Sequence, residues 1–139
     1  MIKVLMIDDD MVIREFAKGF LTREGYEVIE AADAPSGFAA ALEHRPDIIL
    51  SDFIMPGVLD SAGGNLFEKL SSDPRTKDIP VVITSALPKI AVQGVIPRHL
   101  WPRVMSKPFD FFDLKKLIES ILKDKKTGSG SPLGKRARA

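Results

Sequence analysis

The chain has 139 residues, 45% of them hydrophobic and 28% charged, which suffices for one domain with a real core and is too short for two comfortable ones. No apolar run approaches the ~20 residues that span a bilayer, and MIKVLMIDDD at the N-terminus lacks the long apolar region and cleavage site of a secretory signal, so a cytoplasmic protein with no membrane partner is expected. The absence of cysteine excludes disulfides, thiol catalysis and zinc–thiolate sites, and the net charge of +1 hides an asymmetry: residues 123–139 carry six Lys/Arg and one Asp, leaving the other 122 residues at −4.

In chain order, IKVLMI (2–7) is an apolar run of strand length without polar alternation, the signature of a strand covered on both faces. Ile13, Phe16, Ala17, Phe20 and Leu21 then fall on one helix face, and Gly25 offers a stop. YEVIEA (26–31) reads as a second strand. Asp33 can cap a second helix, with Pro35 in its first turn, that runs to about His44. DIILS (47–51) is a third strand, ended by Asp52. MPGVLDSAGG (55–64) is a Pro/Gly-rich loop, followed by a short helix around Leu66, Phe67 and Leu70. PVVIT (80–84) is a fourth strand. Residues 87–103 contain three prolines and a glycine, so a helix there is short or broken. RVMS (103–106) is a weak fifth strand. A last helix carries Leu114, Leu117, Ile118, Ile121 and Leu122 on one face, with Asp110 placed to cap it. A domain over 1–124 and a basic, unfolded tail over 125–139 follow.

Strands alternating with helices five times predict an α/β fold, a parallel sheet with helices on both faces. Ligands of such folds bind at the carboxyl ends of strands, near the point where strand order reverses. Those ends carry Asp8, Asp9 and Asp10 on the first strand, Asp52 on the third, Thr84-Ser85 on the fourth and Ser106-Lys107-Pro108 on the fifth. Converging carboxylates need a counter-charge, and Mg²⁺ suits a few carboxylates with phosphate and water. A metal, a lysine and a hydroxyl around one carboxylate make a phosphoryl-transfer site, with the carboxylate as nucleophile.

Together IDDD (7–10), SDFIMPG (51–57), PVVITSA (80–86) and SKPF (106–109) resemble the response-regulator receiver domain, CheY-like, of two-component signalling. The resemblance covers residues 1 to about 124. It implies a flavodoxin-like sheet of order 2-1-3-4-5 and a phosphorylation-controlled module that catalyses only its own phosphorylation and dephosphorylation. By that resemblance Asp52 is the phosphoacceptor. Asp8 and Asp9, with Asp52 and the backbone carbonyl of Ile54, hold Mg²⁺. Ser85, preferred to Thr84 because Ala86 follows it, is the switch hydroxyl. Lys107 pairs with the phosphoryl group, and the Lys107–Pro108 bond is cis. The implied partners are a sensor histidine kinase or phosphotransfer protein and an unknown downstream protein; a homodimer stays open. A single-domain regulator, acting by partner binding or phosphorelay, is expected.

The chain departs from the family pattern in several places. The loop after Pro56 is longer than usual. Val104 stands where an aromatic switch residue is usual, with Trp101 as a substitute or a core residue. Ile54 and Leu87 are apolar where side chains commonly orient water, which predicts slow autodephosphorylation. Asp10 reads as a helix cap rather than a ligand, and His44 and His99 as surface residues. KRAR near the C-terminus is short and has no interleaved aromatics, so nucleic-acid binding is not expected. Two other functions compete: a degenerate receiver signalling without phosphate, and a phosphatase of the haloacid dehalogenase type. The latter expects a threonine where Val12 stands and a nucleophile on the first strand.

Overall fold

A computed structural model describes residues 1–53, 66–96 and 98–126. Residues 1–109 form one compact unit and residues from 110 onward a second. The first unit contains β1 (Lys3–Ile7), α1 (Met11–Arg23), β2 (Glu27–Ala31), α2 (Ala34–His44), β3 (Ile48–Asp52), α3 (Leu66–Ser72), β4 (Val81–Ser85), α4 (Lys89–Gln93), a 3₁₀ segment (Arg98–Arg103) and β5 (Val104–Ser106). The five strands are parallel, in the order β2-β1-β3-β4-β5, as expected from the sequence.

Strand order dictates where the helices lie. Parallel crossovers are right-handed, and the step from β1 to β2 runs opposite to every later step. Helix α1 therefore covers one face, while α2, α3 and α4 cover the other. The reversal sits between β1 and β3, which pair directly. Side chains alternate along each strand. Leu5, Ile7 and Ile49 accordingly enter a cluster with Ala34 and Ala41 of α2 and Leu66 and Leu70 of α3. Burial of each leucine or isoleucine here contributes about 1.5–3 kcal/mol. Phe53, Ile83, Val92 and Val104 form a second cluster on the α4 side.

Local chemistry sets the helix starts. Asp10 caps α1, its side chain accepting from the Val12 and Ile13 amides at 3.0 and 3.3 Å. Asp33 caps α2 through the Ser36 amide (2.8 Å) and hydroxyl (2.6 Å). These bonds hold the Asp33 carboxyl below its ordinary range. Helix α1 ends at Glu24, and Gly25 follows with φ +95°, a left-handed conformation open to glycine. At the other end of the chain, the second unit holds α5 (Phe111–Lys126), whose Phe112 amide donates to Asp110 Oδ1 at 2.7 Å. Leu114, Ile118 and Ile121 of α5 are buried.

Two expectations need correction. Phe16, placed on the inward face of α1, is 65% exposed; Ala17, one position on, takes the buried place with Phe20 and Leu21. At the rim of the stripe a large ring stays outside, whereas an alanine fits beneath the sheet's twist. Strands β3 and β4 also run one residue further than read, through Asp52 and Ser85, because the ladder pairs Asp52 with Thr84 and Ser85 with Ser106. Helix α4 is five residues long, begins after Pro88 without a side-chain cap, and stops at Gly94, matching the proline-broken pattern. The loop after Pro56 and residues 127–139 of the basic tail lie outside the described residues.

Candidate functional site

Asp8 is the first residue past β1, fixed because its amide still donates to Ala31 O at 3.1 Å. It is fully buried. Its Oδ1 accepts from the Asp10 amide at 2.9 Å, and its Oδ2 from Lys107 Nζ at 2.8 Å. Asp9, the next residue, is exposed. Asp52 closes β3 and is nearly buried. Carboxylate oxygens of Asp8, Asp9 and Asp52 lie within 4.8 Å of one another. This cluster stands at the ends of β1 and β3, where the strand order reverses.

Lys107 follows β5, with its amide donating to Ser85 O at 2.7 Å and its peptide bond to Pro108 cis. Its Nζ reaches Asp8 and stands 3.5 Å from Asp52 Oδ2. Burial of Lys107 works against its charge, yet the hydrogen bond to Asp8 and the charges of Asp52 and Asp8 outweigh it, so its pKa is raised. The ammonium is thus fixed as a cation across ordinary pH. Ser85, fully buried at the end of β4, accepts from the Leu87 amide at 3.0 Å through Oγ. Its own proton stays available to another acceptor. Thr84 Oγ1 lies 3.5 Å from Ser51 O instead.

Lys107 pairs with Asp8 and Asp52, and the Asp9 carboxylate stands beside them, which leaves a local excess of negative charge. The donors are all hard oxygens, and each carboxylate oxygen of Asp8 keeps a lone pair beyond the hydrogen bond it accepts. That donor set fits a hard divalent cation such as Mg²⁺. Asp10 stands apart as the α1 cap. Val104 is 3% exposed and packs among Phe53, Ile83 and Val92. Ile54 lies outside the described residues, as do the side chains of His99 and Trp101. The side chain of His44 is 39% exposed beside Glu43.

One participant escaped the sequence reading. Arg14 Nη1 donates to the Asp8 carbonyl oxygen at 2.5 Å, and its Nε to Glu30 Oε1 at 3.3 Å. The legible signal was a basic residue one turn into a helix that starts directly after an acidic strand end.

The model of the response regulator receiver domain family matches residues 4–119. The chain belongs to that family. Receiver domains are signalling modules of two-component systems, rather than conventional enzymes, and bind Mg²⁺ through an acidic cluster of this kind. This receiver is 33% identical over 123 residues to the DNA-binding dual master transcriptional regulator RpaA of Synechocystis, covering 87% of this chain and 49% of that protein. It is 28% identical to protein PilH of Pseudomonas aeruginosa, covering 88% of this chain and 98% of that one. The chain spans about half the length of RpaA and of the Pseudomonas aeruginosa phosphate regulon regulator PhoB, and 18% of the Caulobacter vibrioides response regulator PleD. A response regulator structure from Desulfuromonas acetoxidans shares the fold with a TM-score of 0.79 at 22% identity, over 88% of this chain and 98% of that one. Vibrio cholerae CheY4 superposes with a TM-score of 0.68 at 28% identity, over 87% and 98%. No helix among the described residues is long and apolar enough to cross a membrane.

Proposed function

We propose that this receiver accepts a phosphoryl group on Asp52 from a phosphohistidine of a sensor kinase or phosphotransfer protein, in the cytoplasm and with Mg²⁺ bound. The supporting observation is the junction of Asp52 with Lys107, Asp8 and Asp9 at the strand-order reversal. A carboxylate oxygen of Asp52 attacks phosphorus. The new P–O bond forms as the P–N bond breaks, and the imidazole leaves with the electron pair. Asp8, Asp9, Asp52 and the Ile54 carbonyl would hold Mg²⁺, which supplies positive charge to the transferring oxygens. Lys107, kept cationic by its carboxylate neighbours, pairs with one phosphoryl oxygen. The Ser85 hydroxyl donates its free proton to another. Phosphorylation would then alter the binding of a downstream protein or pass on along a relay.

Two observations favour a second reading. Val104 sits in the core where an aromatic switch is usual, and α4 is only five residues long. A degenerate receiver would combine an altered switch with an idle site. Incubation with acetyl phosphate and Mg²⁺, followed by intact mass measurement, separates the two. One added phosphoryl group, lost in Asp52→Asn, supports phosphorylation. An unchanged mass favours the degenerate reading.

A further inference from the structure

Arg14 belongs to none of the roles above, yet it touches the acidic site. Its side chain is 15% exposed and reaches from α1 to the carbonyl of Asp8. That oxygen belongs to the peptide linking Asp8 to Asp9. A peptide unit is planar, so holding that plane through its carbonyl restrains the Cα positions of both residues, from which their side chains leave. Asp8 has other anchors: its amide on Ala31, its Oδ1 on Asp10 and its Oδ2 on Lys107. Exposed Asp9 lies on the far side of the same peptide, so the orientation of its carboxylate depends on that plane.

Glu30 holds Arg14 in place. It lies on β2 in register with Met6 of β1, and its Oε1 accepts from Arg14 Nε. Its Oε2 stands 3.2 Å from Lys18 Nζ, one helical turn beyond Arg14. Two cations on α1 thus clasp one carboxylate on β2. Glu30 offsets one of these two positive charges, and Lys18, 53% exposed, holds the other at the solvent edge.

We propose that Arg14 is a positioning residue for the Mg²⁺ site. It holds the Asp8–Asp9 peptide so that both carboxylates address one ion, and Glu30 orients its guanidinium. The inference rests on the reading of this cluster as the Mg²⁺ site of the receiver. A guanidinium is required because one planar fork serves two acceptors; a lysine has a single nitrogen for both.

The test is Mg²⁺ titration by calorimetry on the full chain, well below each variant's melting temperature, for wild type, Arg14→Ala, Arg14→Lys, Glu30→Gln and Asp9→Ala. Removing an outer partner of a metal ligand typically weakens affinity about 10–100-fold, and Arg14→Ala is expected at the lower end of that range. Arg14→Lys recovers less than half of the loss on a logarithmic scale, and Glu30→Gln falls between wild type and Arg14→Ala. If Arg14→Ala fails to fold, Arg14→Lys and Glu30→Gln carry the same comparison. A lower melting temperature with wild-type Mg²⁺ affinity in the Arg14 and Glu30 variants would overturn the proposal and leave Arg14 a clamp between helix and sheet. Wild type that binds no Mg²⁺, or Asp9→Ala that binds it as well as wild type, would overturn the site reading and this proposal with it.

Discussion

Two glycines in helices offer the same substitution with opposite expected signs. Gly37 lies in α2 above β1, and a Cβ built there would stand 2.6 Å from Ile7 Cδ1 and 3.0 Å from Ile7 Cγ1 and Cγ2. Ile7 is fully buried among Leu5, Ala31, Ala34 and Ile49, so it has nowhere to retreat. Overpacking of this kind costs about 1–3 kcal/mol. Alanine gains about 1 kcal/mol over glycine in a helix interior, so Gly37→Ala should be destabilised by about 0–2 kcal/mol net. Gly19 in α1 is exposed, with nothing within 4 Å of an added Cβ. Gly19→Ala should therefore gain the full ~1 kcal/mol. At roughly 4 °C per kcal/mol for a chain of this size, the two variants should melt about 4–12 °C apart. Thermal denaturation by circular dichroism in EDTA measures this without involving the metal. Ile7→Val removes Cδ1, the nearest atom; it should cost about 0.5–1.5 kcal/mol in wild type and less in Gly37→Ala. Equal melting temperatures for the two alanine variants, or an additive double mutant, would refute the close α2–β1 approach.

With Mg²⁺ at 100 times its dissociation constant, binding should add about 2.7 kcal/mol, roughly 11 °C in melting temperature. Asp9→Ala should abolish most of that rise; an undiminished rise would place the ion elsewhere. Lys107→Met leaves the buried Asp8 and Asp52 carboxylates without their ammonium, and should cost about 3–5 kcal/mol in EDTA near pH 7. Because the folded-state pKa of Lys107 is raised, its contribution is complete below the unfolded value of about 10.4 and fades as pH rises through the folded one. The gap between wild type and Lys107→Met should therefore narrow only in strong alkali, and a gap that closes between pH 6 and 9 contradicts the pairing. Leu87, 40% exposed and apolar, cannot orient an attacking water, so the phosphorylated domain should lose phosphate slowly. Phosphate release complete within seconds would show that some other group activates water.

Most of the fold was legible because its signals are local. Apolar runs without alternation mark strands covered on both faces, and Asp10, Asp33 and Asp110 announce helix starts within three residues. The convergence of Asp8, Asp52 and Lys107 was legible for a different reason: each stands at a strand end, and parallel strands bring those ends to one edge. Phe16 was misplaced because a 3.6-residue period fixes a stripe but not its rim. Arg14 was missed because its target is a main-chain carbonyl, so its place one turn after the acidic strand end does not reveal what it bonds. Its partner Glu30 lies 16 residues away on β2 and meets it only through the register of β1 with β2.

The same register explains how the sheet tolerates its own acidic edge. Three main-chain bonds continue the ladder past the side chains that carry chemistry: Asp8 N to Ala31 O, Phe53 N to Thr84 O and Lys107 N to Ser85 O, at 3.1, 2.8 and 2.7 Å. Each binds one of these strand ends to its neighbour independently of the charges beside it. Mutual repulsion of the carboxylates therefore acts against a braced backbone, and Asp9 is the one member of the three that is exposed. A cation arriving from solvent meets two buried carboxylates and one exposed one. Fixing the exposed Asp9 side chain costs rotamer entropy on binding, so restraint on the Asp8–Asp9 peptide, which lowers that cost, should have more leverage on binding than on folding.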